Sequence, residues 1–538
     1  MTRTALLPCA SSLLAALALG GCVDGAQPVH GTSAEPSMGA AAQAVATATP
    51  YEERIVLELV NSASEQTLDE DARLDSRAAR NIVAHRAGPD GVDGTADDDR
   101  FDSWAELDAI SYVGDTALAL LVDYALTIYG PEEVEEVAVL VHGVAEGSPA
   151  AIAMLVLANG LSEAELDEDV ALDSRAAGNI VAAREAGAIA SLTELDSIAY
   201  VGGAAFDRLY DYGLDQGHIR EEGCSDGLVW IAGGGEFASP AAATSAADPG
   251  DVVYLCAGSW TEQVSIETRI QLVGLEGAAH SVIDADEAGS ALTVNAADVT
   301  VSGLTLTGGR GGGAGAMTGG GVHVGHAADG FTLRDAIVTG NRADSGGGLA
   351  LEADATLERV TVSDNQASGS YGQGGAIVVY SARLTGIDLV LSDNVAKRGG
   401  ALYLYHPTSE AELEGGTIEG NEATGGWGGG VFAAGPIHLT DTTIDGNTAD
   451  RGAGVYLSAE GTSSRLDGAV LSRNAAASGN GALALSRGTL EVANTDWGAG
   501  LLDNSPNDLV GYDGGWTALT TTSTFRCVAT SGDVRCSY

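Results

Sequence analysis

The chain has 538 residues, with 75 acidic and 25 basic side chains and a formal net charge of −50. Such a surface repels phosphate backbones and anionic lipid headgroups, which argues against nucleic-acid binding and adsorption to anionic bilayers and favours solubility and cation binding. A hydrophobic fraction of 45% argues against wholesale disorder. Glycine, at 75 residues, is about twice its usual share and is uneven, with 14 in residues 51–222 and 56 in residues 223–538. Two kinds of structure are therefore expected in one chain.

Residues 1–22 read as an export signal. Arg3 supplies the positive start, and Ala5–Leu19 is an apolar run too short for a permanent membrane span. The run ends in Leu19-Gly20-Gly21-Cys22, which resembles the lipobox of bacterial lipoproteins. That resemblance implies lipidation at Cys22, membrane attachment through the lipid anchor only, and placement in the cell envelope, with the outer membrane expected. Residues 23–50 read as a flexible tether. Of six cysteines, Cys9 lies in the signal, leaving Cys224, Cys256, Cys527 and Cys536 beside the lipidated one. An even number in an exported protein indicates disulfides, and proximity favours Cys224–Cys256 and Cys527–Cys536.

Residues 51–130 and 131–222 form two copies of one helical module. LDEDARLDSRAARNIVAHR at 68–86 recurs as LDEDVALDSRAAGNIVAAR at 166–184, identical at 15 of 19 positions. SWAELDAISYVGDTAL at 103–118 recurs as SLTELDSIAYVGGAAF at 191–206. Leu74, Ala78, Ile82 and Val83 share one helical face, and Asp75 and Ser76 stand where N-caps belong. These blocks resemble the helix-hairpin-helix modules of bacterial DNA-uptake proteins, which implies a small all-α fold and phosphate contacts at a hairpin. Here the hairpins read Arg73-Leu74-Asp75 and Ala171-Leu172-Asp173, without the glycines of that family and with an Asp where a phosphate would sit. Residues 51–222 hold 37 acidic and 10 basic side chains, so packing or protein contact is expected in place of DNA binding.

The first copy alone carries an insertion with Asp90, Asp93, Asp97, Asp98 and Asp99. Five aspartates on a Gly-bent loop suit calcium, which takes six to eight oxygen ligands; a solvated acidic loop is the alternative.

From residue 223 the pattern changes to short strands separated by glycine. Asn341, Asn365, Asn394, Asn421, Asn447, Asn474 and Asn504 recur at intervals of 24–30 residues. A glycine pair or near-pair precedes an aliphatic at Val322, Leu349, Ile377, Leu402, Val431, Val455 and Leu483 with the same period. Two markers with one period predict a solenoid whose asparagines stack in a ladder and whose aliphatics at Val338, Val362, Leu391, Ile418, Ile444 and Leu471 point inward. The strands from Val252 to Leu304 resemble the entry to the right-handed parallel β-helices of the pectin-lyase-like superfamily. The GGA-aliphatic segments at 374–377 and 399–402 resemble repeats of polymorphic outer-membrane proteins. The expected fold is thus multidomain, with all-α duplicated modules followed by an all-β parallel β-helix over 223–510 and a cap over 511–538.

Fold alone does not settle chemistry on such a scaffold. Asp364 and Asp393 hold matching register one coil apart, with Lys397 and Arg398 just beyond, and are the candidate acid, base and cation; ordinary turn chemistry explains Asp-Asn equally. Tyr371 and Trp427, with Tyr403 and Tyr405, are candidates for stacking on a sugar chain. The leading expectation is a non-catalytic surface lipoprotein contacting glycans or proteins. The alternatives are a polysaccharide lyase or glycosidase and a calcium-dependent adhesin.

Overall fold

The computed structural model describes residues 50–538 apart from 89–98, 102, 130–138, 313–318, 479–480, 499–502, 507, 513–518, 522–525, 531–532 and 538. Two compact units are present, one ending at Val137 and one running from Ala138.

The first unit holds the helices Pro50–Ser62, Ser76–Arg86, Trp104–Asp108 and Asp115–Tyr129. Ile55, Val56, Leu59, Leu68, Ile82, Leu107 and Leu121 close its core. Arg73 and Tyr112 adopt left-handed backbone (φ 58° and 72°) at the two tight turns that glycine would otherwise serve. Asp75 caps the helix Ser76–Arg86 by accepting from the Arg77 N–H.

In the second unit a short antiparallel pair, Leu140–Val141 with Val144–Ala145, precedes the equivalent helices Pro149–Gly160, Ser174–Ala186, Leu192–Ser197 and Gly203–Asp215. Ala171 and Tyr200 repeat the left-handed turns (φ 59° and 71°), and Asp173 repeats the cap. This module shares a single core with the first coils of the solenoid: Met154, Leu157, Phe206 and Leu209 belong with Trp230, Tyr254 and Val273. A disulfide joins Cys224 to Cys256 at this seam. Tyr254 is fully buried, and His218 meets its hydroxyl at 2.8 Å. Burial, with no charged partner to offset it, pushes His218 down to about 4.

The solenoid is a parallel β-helix whose coils stack strand on strand. One column of strands runs through Val264–Ile266, Leu292–Val294, Val322–Val324, Leu349–Leu351, Ile377–Val379, Leu402–Leu404 and Val431–Ala433, each in register with the next. Further columns include Thr305–Thr307, Ile337–Thr339, Thr361–Ser363, Val390–Ser392, Thr417–Glu419 and Thr443–Asp445. Val338, Val362, Leu391, Ile418, Ile444 and Leu471 from this column lie inside, at most 1% exposed.

The glycine excess has a steric cause. A Cβ on Gly400 would lie 2.1 Å from the Gly429 carbonyl oxygen of the next coil, and one on Gly375 would lie 2.1 Å from that of Gly400. At one corner the asparagines Asn341, Asn365, Asn394, Asn421, Asn447, Asn474 and Asn504 are all buried. Asn394 Oδ1 accepts from Asn365 N and Nδ2 at 3.0 and 3.1 Å, while Asn394 Nδ2 donates to Val362 O, Ser392 O and Asn421 Oδ1. The residue before each of the first six asparagines is left-handed, whether Gly340, Asp364, Asp393, Gly420, Gly446 or Arg473.

The N-terminal end of the helix is covered by Pro240–Ala246, with Ala243 fully buried beneath the first coils. At the other end Asp533–Ser537 pairs antiparallel with Leu509–Tyr512 on one side and Arg526–Thr530 on the other, and so covers the edge of the last coil's strand. Cys527 stands opposite Cys536 in this ribbon; their side chains lie outside the described residues.

Candidate functional site

Side chains alternate between the faces of a strand, so the middle residue of each three-residue strand in the first column points away from the core. Reading up the stack, this outward column is Ser265, Thr293, His323, Ala350, Val378, Tyr403, Phe432, Tyr456 and Ala484. Beside it runs a second column made of the residue that follows each strand. There the backbone N–H of Asn295, Gly325, Glu352, Tyr380, Tyr405 and Ala434 each donates to the coil before it. The two columns form a strip that is polar at one end and aromatic at the other.

At the polar end, Asn295 donates to Glu267 at 2.8 Å. Further along, the Glu352 carboxylate lies between two imidazoles, 3.6 Å from His323 Nε2 and 3.5 Å from His326 Nε2. The Glu352 side chain is 12% exposed, whereas His326 is 80% exposed and closes the outer side. His323 Nε2 is buried without a hydrogen-bond partner among the described residues. A buried ring nitrogen lacking a partner carries a desolvation cost that a ligand hydroxyl could relieve.

At the aromatic end, Tyr403, Phe432 and Tyr456 stack with centroids 4.7 and 5.3 Å apart and planes 8° from parallel. Trp427 lies over Phe432 and Tyr456, and the Arg398 guanidinium sits 4.6 Å from the Trp427 ring centroid. Burial raises the Tyr403 pKa above the ordinary tyrosine value, while Arg398 and Gln373 beside its hydroxyl pull the other way. Tyr380 is pushed up to about 12 by burial. Its ring lies 5.0 Å from that of Tyr405, which is 41% exposed. The accessible centre of the strip is therefore Tyr405, with Tyr380 and Glu352 on successive coils beneath it.

The residues singled out from sequence fall in several places. Trp427, Tyr403 and Tyr405 belong to one aromatic cluster. Tyr403 is only 5% exposed and packs face to face with Phe432, so its ring fills the cluster and is not a free sugar platform. Tyr371 is 74% exposed, and among the described residues no ring contact joins it to the others. Asp364 and Asp393 are exposed at the left-handed turns before the asparagine ladder, with φ of 56° and 54°. Lys397 donates to Ser370 O at 2.9 Å, and Arg398 turns toward Trp427; neither makes an ion pair with those aspartates.

Cys22, Asp90, Asp93, Asp97 and Asp98 lie outside the described residues. Asp99 is described, 3.9 Å from His85 Nε2. No helix among the described residues is long and apolar enough to cross a membrane.

The strip residues His323, Glu352, His326, Tyr380, Phe432 and Tyr456 were not singled out from sequence. The signal for half of them was present: the residue after each glycine-led aliphatic marker is the outward one.

In the helical modules the Arg77 guanidinium clamps Asp75 at 2.9 and 2.8 Å and lies 4.2 Å from the Tyr112 ring. That clamp holds the Asp75 carboxyl well below the usual carboxylate range. The second copy repeats it with Arg175, Asp173 and Tyr200. In each copy the capping carboxylate already occupies the helix N-terminus where a phosphate would have to sit.

No protein-family model and no curated protein matches this chain. Among solved structures it is similar to a pectin methylesterase in complex with a hexasaccharide, at 14% identity and a TM-score of 0.25, covering 39% of this chain and 72% of that one. It is also similar to a pectin methylesterase from carrot, at 13% identity and 0.25, covering 54% and 80%. A third is the pectin methylesterase from Yersinia enterocolitica, at 14% and 0.22, covering 41% and 80%. The likeness concerns the β-helix and no particular residue.

Proposed function

We propose that this chain is a non-catalytic surface lipoprotein of the cell envelope, lipid-anchored through Cys22 in the outer membrane, whose β-helix holds a polysaccharide along the outward strip. The observation that carries the reading is the exposed Tyr405 ring, one column from Glu352 and its two imidazoles. A ring stacks on the apolar face of a sugar, and a carboxylate with imidazole partners accepts and donates to hydroxyls. The coils repeat about every 4.8 Å, so the strip offers contacts at a pitch that an extended chain can follow. The strong negative charge and the self-capped helix N-termini favour a polysaccharide or surface protein over nucleic acid as the partner.

A catalytic reading rests on the same pair, since His323 and Glu352 are an acid–base combination, and it names a polysaccharide lyase or glycosidase. Hydrolysis by the usual route needs two carboxylates about 5–9.5 Å apart. Along the column holding Glu352, the next carboxylate among the described residues is Glu267, three coils away and so about 14 Å distant. Non-catalytic binding is therefore the preferred reading. Glycan-array binding followed by incubation with the retained polysaccharide tests it. Retention with no new reducing or unsaturated ends is expected; release of such ends, abolished by Glu352→Gln, would establish the enzyme instead.

A further inference from the structure

The two helical copies share nearly every packing device. Arg86 donates to Val60 O and Arg184 to Ala158 O, each at 2.8 Å. Asn61 exchanges two hydrogen bonds with the backbone of Phe101, as Asn159 does with that of Ile189. Against this common frame the first copy differs in three linked respects. It has His85 where the second has Ala183, Phe101 where the second has Ile189, and an inserted loop that the second lacks.

These differences converge on one point. The His85 ring stacks on Phe101 with centroids 4.6 Å apart. His85 Nε2 lies 3.0 Å from Glu106 Oε1 and 3.9 Å from Asp99 Oδ2, and one ligand atom from each of the three residues falls within 4.8 Å of the others. Three separate elements supply them: the last turn of Ser76–Arg86, the end of the insertion, and the short helix Trp104–Asp108. Asp99 is held there by its backbone, whose N–H donates to Arg86 O at 3.1 Å.

We propose that His85, Asp99 and Glu106 form a binding site for a first-row divalent cation of the zinc type. Zinc bonds to nitrogen and oxygen at about 2.0–2.2 Å, which sets neighbouring ligand atoms roughly 3.0–3.6 Å apart. The 3.0 Å separation of His85 and Glu106 falls in that range, and the exposed Asp99 carboxylate, at 3.9 Å from His85, has only to swing inward to join them. The chemistry of the donors changes the metal expected from the aspartate loop. Calcium takes oxygen ligands, six to eight of them, and an imidazole is not among its usual partners. One imidazole with two carboxylates suits zinc and its neighbours. Three protein ligands leave a position for water. The stacking of His85 on Phe101 fixes the ring plane so that Nε2 faces the carboxylates.

Calorimetric titration of the full chain with zinc chloride, and separately with calcium chloride, tests this. One zinc equivalent should bind to the wild type, and His85→Ala should weaken that equivalent at least 10-fold. Because His85→Ala reproduces the residue of the second copy, it should fold; an unchanged far-ultraviolet circular dichroism spectrum checks this. Glu106→Gln should weaken binding in the same direction, whereas His280→Ala, which removes an exposed imidazole from the solenoid, should leave this equivalent intact. Zinc binding insensitive to His85→Ala, no zinc equivalent at all, or calcium bound more tightly than zinc would overturn the proposal.

Discussion

The asparagine corner and the outward strip run through the same coils, and they are built on opposite rules. At the corner one residue type recurs in seven coils, each copy bonded to the next. On the strip the equivalent position changes from Thr293 to His323, Ala350, Tyr403 and Phe432. A position that must satisfy buried amides tolerates little variation, because each lost partner leaves a polar group unsatisfied. A position that only faces outward is free to specialise. Within a repeat protein, sameness between repeats marks stability and difference between repeats marks function. The helical copies follow the same rule: Asp75 and Asp173, or Asn61 and Asn159, keep the fold, while His85 against Ala183 separates the copies.

The largest expected effect lies at the corner. Asn394→Leu removes a side chain that makes five hydrogen bonds in mid-ladder, four of them buried, and it should cost about 3 kcal/mol or more in urea denaturation. If Asn394→Leu costs no more than Thr293→Ala on the strip, the contrast between the two columns is broken.

A second effect belongs to the seam between the second helical module and the coils. His218 is lowered to about 4 in the folded protein, against an ordinary value near 6.5. The unfolded chain therefore takes up the proton first as pH falls. The stability associated with keeping His218 neutral is fully present above about pH 6.5 and declines progressively toward pH 4. The loss is on the order of 3 kcal/mol. His218→Gln should flatten the part of the wild-type decline that falls between pH 6.5 and 4, measured as the difference between denaturation midpoints. Parallel curves for the two proteins would contradict this.

The smallest effect sharpens the comparison of the helical copies. Asp75→Ala and Asp173→Ala each remove an exposed N-cap, and each should lower the melting temperature slightly and by similar amounts. A large difference between the two would mean that one cap does more than close its helix.

Much of the β-helix was legible because its period is written twice, in the asparagines and in the glycine-led aliphatics. The asparagine positions are readable since a buried amide at a repeated turn leaves few chemical alternatives. The duplicated helices were readable for the same reason. The strip was less so. Its alternation could be taken from the marker at Leu402, which places Tyr403 outward, but not the way Trp427 and Arg398 fold over that ring and cover it. Glu352 and His326 are joined to His323 across neighbouring coils, 29 and 3 residues away along the chain, and no motif of fixed spacing announces such a meeting. The fusion of the second helical module with the first coils also escaped, because Tyr254 and Trp230 read as strand residues of the solenoid and only packing assigns them to both.

The central claim, that the strip around Tyr405 holds a polysaccharide, is tested most directly by calorimetric titration of one array-selected oligosaccharide into the wild type and Tyr405→Ala. Tyr405 is 41% exposed, so its removal should leave the melting temperature nearly unchanged. The predicted result is a loss of affinity of at least 10-fold in a variant that melts like the wild type. Equal affinity of the two proteins for the oligosaccharide would contradict the account.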